Sequence, residues 1–255
     1  MALSAAHYLV AAGAGLLAGL VNAVAGGGTL ISFPALQAVG LPAVGANVTN
    51  IVALTPGYLA GSLAQRADLE GRLRRARRLS VLAALGGLAG SLLLVSIPAR
   101  AFRAAVPFLL LASCGLLVVQ DALRARLARR ARHEGADRLP PELGLWAGVF
   151  LAAVYGGFFG AGLGIMLLAI LGLFSEDTLA RNNALKQALS LVISLVASCF
   201  LAFSGHVVWS LAAVMAVTGI VGGALGGRFA RVARPGLLRA LVVAFGIAVA
   251  VRYWA

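Results

Sequence analysis

The chain has 255 residues, 61% of them hydrophobic and 11% charged. Soluble domains carry about 45–50% apolar and about 25% charged residues, so an ordinary water-soluble globule or enzyme is excluded and the class is integral membrane protein. The net charge of +13 does not signal nucleic acid, because the arginines cluster between apolar runs, where they read as cytoplasmic loops under the positive-inside rule.

No Lys or Arg precedes Arg66, so the start lacks the basic stretch of a secretory signal. A cleavable signal ending near Ala23-Val24-Ala25 is not expected, since the glycine-rich run that follows it recurs later. Apolar segments fall at 8–25, 29–40, 43–65, 79–97 and 103–120. After a polar, Arg-rich stretch at 121–142 they resume at 144–159, 163–174, 183–203, 208–227 and 237–254. A spanning helix needs about 20 apolar residues. The third, fourth and fifth segments of each set qualify. The first two of each set are short and are joined through glycine.

The two sets resemble each other at an offset of 134–136 residues. Gly26 and Gly28 align with Gly160 and Gly162, and Ala46-Asn47 with Ala180-Arg181-Asn182. Gly86-Gly87 and Gly90 align with Gly222-Gly223 and Gly226, and Phe102-Arg103 with Leu238-Arg239. An internal duplication of this kind builds many secondary transporters, with the substrate site at the repeat interface.

Charge orients the repeats. Arginines crowd 66–78 and again 121–142, two spans apart, which puts both loops in the cytoplasm. The second-repeat counterpart of the first loop, Ser204-Gly205-His206-Val207, has no Lys or Arg; the next loop carries Arg228, Arg231, Arg234 and Arg239 instead. The basic loop has moved by one span, as inverted repeats require. Arg100 and Arg103, on the outer side of that scheme, speak for parallel four-span repeats.

Three constellations are candidates for chemistry. The first is Asn22-Ala-Val-Ala-Gly26-Gly27-Gly28-Thr29. Consecutive glycines break a helix, and a break inside a membrane is tolerated where it faces protein or a polar cavity. It also creates a helix N-terminus that attracts anions. Recurrence as Gly160-Ala-Gly162-Leu-Gly164 favours a site over close packing, whereas Gly15-xxx-Gly19 reads as packing alone. The second is Asn47-Val-Thr49-Asn50, whose two amides share a helix face. Donation to an anion and a cap with interhelical hydrogen bonds stand as equal readings, and Pro56 beyond them is expected to kink the helix. The third is Arg181-Asn182-Asn183-Ala-Leu-Lys186-Gln187. Lys186, the only lysine, either snorkels to the interface or supplies charge to an anion; Glu176 and Asp177 are in reach to pair with it.

All eight acidic residues lie in loops or at segment ends: Asp68, Glu70, Asp121, Glu134, Asp137, Glu142, Glu176 and Asp177. The mid-span carboxylate of proton relays and cation sites is missing. No zinc-protease, nucleophile-elbow or Walker A pattern is present. Cys114 and Cys199 sit in apolar runs without partners at ligand spacing, so neither enzyme activity nor a metal or other cofactor is expected.

The run Gly15-Leu-Leu-Ala-Gly-Leu-Val-Asn-Ala-Val-Ala-Gly-Gly-Gly-Thr29, with Pro34, Ala46-Asn-Val-Thr-Asn50 and a weaker copy at Gly148–Gly164, resembles the opening of the TauE/SafE family of sulfite exporter-like membrane transporters. The resemblance covers 10–254. It implies a multi-pass bacterial inner-membrane transporter of sulfite, organosulfonates and related small anions. The glycine, Asn and Thr positions carry over as site candidates. The second glycine motif departs from three consecutive glycines, which separates the two half-sites.

The expected fold is an all-α polytopic membrane protein of two homologous, inverted repeats, 8–120 and 144–254, joined by a cytoplasmic linker at 121–142. Each repeat has a glycine-broken, discontinuous or re-entrant first helix plus three spanning helices, about eight transmembrane segments in all. The expected function is alternating-access transport of a small anion within the lipid bilayer. Asn22, Gly26, Gly27, Gly28, Thr29, Asn47, Thr49 and Asn50 would line one half of the site. Gly160, Gly162, Gly164, Asn182, Asn183 and Lys186 would line the other. The alternative is an anion channel or a non-transporting membrane scaffold.

Overall fold

The computed structural model describes residues 3–24, 27–69, 73–130, 142–175, 177–229 and 235–254. Among them all regular structure is helical: α1 (Ala5–Val24), α2 (Thr29–Ala38), α3 (Ala43–Ala64), α4 (Leu73–Ser96) and α5 (Ala99–Arg130), then α6 (Glu142–Phe158), α7 (Leu163–Phe174), α8 (Leu179–Leu201), α9 (Trp209–Phe229) and α10 (Pro235–Arg252). A short 3-10 turn, Arg66–Leu69, links α3 to α4. Sequence signals account for the starts. Pro42 precedes α3 and Pro235 opens α10, where a missing N–H costs nothing. Thr178 caps α8 by accepting the Arg181 N–H at 3.4 Å.

Among the described residues, four helical stretches are long and apolar enough to cross a bilayer: Ala5–Asn22, Leu73–Ser96, Ala99–Leu123 and Leu179–Leu201. At about 1.5 Å per residue, the 12 residues of α7 fall well short of a span. Two boundaries differ from the expectation. Helix α5 continues past the apolar segment to Arg130, so the first part of the stretch read as a linker is helix; 131–141 lie outside the described residues. Helix α4 begins at Leu73 and takes in Arg74, Arg75, Arg77 and Arg78.

The helices pack in exchanged pairs. α1 crosses α9, α4 crosses α6, α3 crosses α8 and α5 lies against α10. Glycine makes the first two crossings possible. A Cβ on Gly19 would lie 2.0 Å from the Gly219 carbonyl oxygen, and one on Gly222 2.0 Å from that of Leu16. At α4–α6 the same holds for Gly90 against Val154 and Gly157 against Gly87. Such close backbone approach takes the place of the hydrophobic drive that lipid does not supply.

α7 folds back along α6, so that the Phe174 ring at its end reaches Gly144 at the start of α6. Phe33, Phe102, Phe158 and Phe159 cluster where α2, α5 and the α6–α7 junction meet, with Phe33 and Phe159 edge to face at 5.4 Å. Large apolar side chains such as Val81, Leu85, Phe108, Leu151, Val217 and Leu241 face outward. A lipid-facing surface needs that; a water-facing one rarely shows it.

Candidate functional site

The two glycine breaks converge on one turn of α5. Gly27, at φ +90°, packs so that a Cβ would lie 2.8 Å from Leu117 Cδ1; Gly162, at φ +78°, faces Leu116 Cδ1 at 3.1 Å. Both left-handed conformations suit glycine. The first break is closed by Asn22, whose Oδ1 accepts the Gly28 N–H at 2.8 Å. The second is braced by Tyr155, whose hydroxyl donates to the Ala161 carbonyl at 2.6 Å, with the Ser113 hydroxyl 2.9 Å from that of Tyr155.

Between the breaks lies a cavity of about 20 Å³, room for a water molecule or two. From the first half it is lined by Thr29 at the start of α2 and by Asn50, Leu54 and Tyr58 of α3. From the second half come Gly156, Phe159, Gly160 and Leu163 at the α6–α7 break, and Ser194 of α8. No charged side chain is among the described residues that line it. Thr29, Asn50, Tyr58 and Ser194 present hydroxyl and amide groups, all neutral donors.

Asn50 is fixed in place. The Ser32 hydroxyl lies 2.5 Å from Asn50 Oδ1 and 3.1 Å from the Gly28 carbonyl. The Asn50 side chain so held is 1% exposed and lines the cavity, with its NH2 group left as a donor.

Of the residues singled out in the sequence, the cavity gathers Thr29, Asn50 and Gly160. The others are spent elsewhere. Asn47 donates from Nδ2 to the Phe158 carbonyl at 2.8 Å, and Thr49 Oγ1 accepts the Val208 N–H at 3.1 Å. Asn182 donates to the Asp177 carbonyl at 3.2 Å and Asn183 to Gln65 Oε1 at 2.7 Å. For Asn47 and Thr49 the cap and interhelical hydrogen-bond reading fits the geometry; Asn183 bridges α8 to the end of α3, and Asn182 bonds only the turn before its own helix. Lys186 stacks its stem over Gly164, with Nζ 3.8 Å from where a Cβ would stand. Gly26 lies outside the described residues.

Asp177 is engaged by arginines. It receives the Ser175 hydroxyl at 2.9 Å, Arg75 Nη1 lies 3.5 Å away and Arg181 Nη1 4.0 Å. Arg75 also donates to the Phe174 carbonyl at 3.0 Å and to Ser175 at 3.1 Å, clamping α4 onto the α7–α8 junction. Arg239, almost buried, pairs with Asp121 and ties α10 to α5.

Tyr58 and Ser194 were not singled out in the sequence. The signal for Tyr58 was the spacing Asn50, Leu54, Tyr58, which puts all three on one helix face. For Ser194 it was Ser190, Ser194 and Ser198 at intervals of four. Pro56 sits within the unbroken α3. Near it, the Ile51 carbonyl accepts the hydroxyls of Thr55 at 2.9 Å and Ser198 at 3.5 Å, which ties α3 to α8.

Comparison with known proteins agrees with a transporter. The chain is 31% identical over 230 residues to a Haemophilus influenzae protein named "Probable membrane transporter protein", covering 90% of this chain and 87% of that one. It is 25% identical over 239 residues to "Probable membrane transporter protein ORF9" of Sinorhizobium sp, covering 94% and 89%. It is also 25% identical over 228 residues to "Probable membrane transporter protein YfcA" of Escherichia coli, covering 89% and 82%. No solved structure matches. The family described as "Sulfite exporter TauE/SafE" matches residues 11–253, and the chain belongs to that family of membrane transporters.

Proposed function

We propose that the protein is a secondary transporter of a small anion, of the sulfite or organosulfonate class, working by alternating access between two inverted repeats in the bacterial inner membrane. The observation that carries this reading is the cavity: neutral donors from both halves, with Thr29 at the start of α2 and Leu163 at the start of α7 in its wall. Each helix start brings about half a positive charge, so an anion is stabilised there without a fixed cation that would hold it too tightly to release.

The pairing of helices fits a two-fold relation between the halves: the first helix of each half crosses the fourth of the other, and the third and fifth helices pair with their own counterparts. The direction of the third helices supports inversion. α3 and α8 run antiparallel, with Gln65 meeting Asn183 and Thr55 meeting Ser198, as equivalent helices of inverted repeats do. The shift of the Arg-rich loop by one span agrees with it. The size of the cavity supports movement. Sulfite carries three oxygens, each about as large as a water, so the halves must part to admit it.

Sulfite exchange in proteoliposomes tests the proposal. Labelled sulfite should exchange against unlabelled sulfite without net current. Asn50→Leu should lower that flux by at least about tenfold, the cost of one hydrogen bond to a charged group, while the protein still assembles, because Ser32 retains the Gly28 carbonyl as acceptor. Net current at the same rate favours a channel, and absence of flux removes the transport reading.

A further inference from the structure

From the cavity, one end of the α3–α8 crossing stays polar all the way to the Arg-rich face. Tyr58 and Ser194 share the cavity wall. Beyond them toward Arg66 comes Gly61, where a Cβ would lie 2.1 Å from Gln187 Nε2, so the Gln187 amide lies directly on the α3 backbone. The last rung is Asn183 Nδ2 donating to Gln65 Oε1 at 2.7 Å. On α8 the positions 183, 187, 190 and 194 are spaced by three and four, one face of the helix. The residue between the cavity and Gln187 on that face is Ser190. Its hydroxyl is fully buried and has no hydrogen-bond partner. A buried unpaired hydroxyl is unfavourable, and here it stands in line with a polar cavity.

Among the described residues, the other end of the crossing has no such ladder. Past Thr55 and Ser198, α3 and α8 meet through Val48, Ile51, Ala197 and Leu201, all in one apolar cluster with Phe102 and Phe159.

We infer that the anion passes between the cavity and the Arg-rich face along the α3–α8 seam, touching Ser190 and Gln187 on the way, with the Gln65–Asn183 hydrogen bond as the latch that closes it. The inference rests on the transport reading above and adds the route. Ser190 acquires its missing partner when the anion, or the water that follows it, is in the seam. The Arg75 and Arg181 side chains on that face outnumber the single Asp177 carboxylate between them and attract anions from solution toward it. Gly61 keeps the seam wide enough opposite Gln187, and the latch joins two neutral amides whose exchange for water costs little.

The test is cysteine accessibility in the full-length protein with Cys114 and Cys199 replaced by alanine. S190C, Q187C, A197C and R74C are each exposed to a membrane-impermeant, sulfonate-bearing methanethiosulfonate from either face of oriented vesicles. S190C and Q187C should react from the face on which the exposed R74C reacts, at least tenfold faster than A197C. Millimolar methanesulfonate should slow S190C severalfold without slowing R74C. Adding Q65L should raise the S190C rate, because the latch is gone. If S190C and Q187C react no faster than A197C while sulfite exchange persists, the route is wrong and the transporter reading survives. Loss of both sulfite exchange and methanesulfonate protection removes the transporter reading, and the route with it.

Discussion

The two ends of the α3–α8 crossing occupy matching places in the duplicated halves and carry opposite chemistry. At the offset of 136 residues, Gln65 matches Leu201, Gly61 matches Ala197 and Gln187 matches Ile51. At the Arg-rich end Gln65 and Asn183 bond to each other. At the far end Leu201 is fully buried and Asn47 turns its amide to the Phe158 carbonyl. At these matched positions the side chains diverge, leaving one end polar and the other apolar. A carrier in which both ends were wet would leak, so under the proposed function the apolar end would act as the seal. The clamps differ in the same sense. The Arg-rich end is held by Arg75 on Ser175, Asp177 and Phe174, whereas the far end has neutral bonds, from the Val208 N–H to Thr49 and from Asn47 to the Phe158 carbonyl.

The contrast can be attacked from either end. Gly61→Leu should block the polar end most severely, lowering sulfite exchange about a hundredfold, or nearly 3 kcal/mol. The fold should survive, because the clashing atom is the far end of the flexible Gln187 side chain; unaltered exchange would mean that nothing passes there. Leu201→Asn should wet the dry end by putting an amide in the apolar cluster. The expected loss is about 2–3 kcal/mol of stability, read as a lower melting temperature in detergent, together with a sulfite leak. Arg75→Met removes two hydrogen bonds and one ion pair around Asp177. Arg75 is partly solvated and Arg181 remains nearby, so the expected cost is about 1–2 kcal/mol, again visible in melting. Thr55→Val should be mildest, about 1 kcal/mol for the lost contact with Ser198, which lies 2.7 Å away, and should leave exchange near normal.

The two glycine breaks show how far reading along the chain reaches. Both were visible as glycine clusters at matched offsets, and both do interrupt helices, between α1 and α2 and between α6 and α7. Their convergence on Leu116 and Leu117 of α5 was not visible, because it depends on where a helix nearly 90 residues from the first break comes to lie. The amides show the same limit. Asn47 and Asn50 share a helix face, yet only Asn50 lines the cavity, since its neighbour Ser32 holds it there while Asn47 finds a bare carbonyl at the end of α6. Nothing in a spacing of three residues distinguishes those fates.

What the amino-acid order determines by itself is the set of helices, the duplication and the membrane environment. These follow from local composition, from runs of apolar residues bounded by glycine, proline and arginine, and a helix in lipid satisfies its own backbone. What only the tertiary structure decides is which polar side chains remain available once the helices cross. Asn22 and Asn182 satisfy backbone groups a turn or two away and Asn47, Thr49 and Asn183 satisfy groups distant in sequence, while Asn50, Tyr58 and Ser194 meet around a cavity and Ser190 is left without a partner. In a low-dielectric interior every polar group seeks a mate, and the supply of mates is set by neighbours distant in sequence.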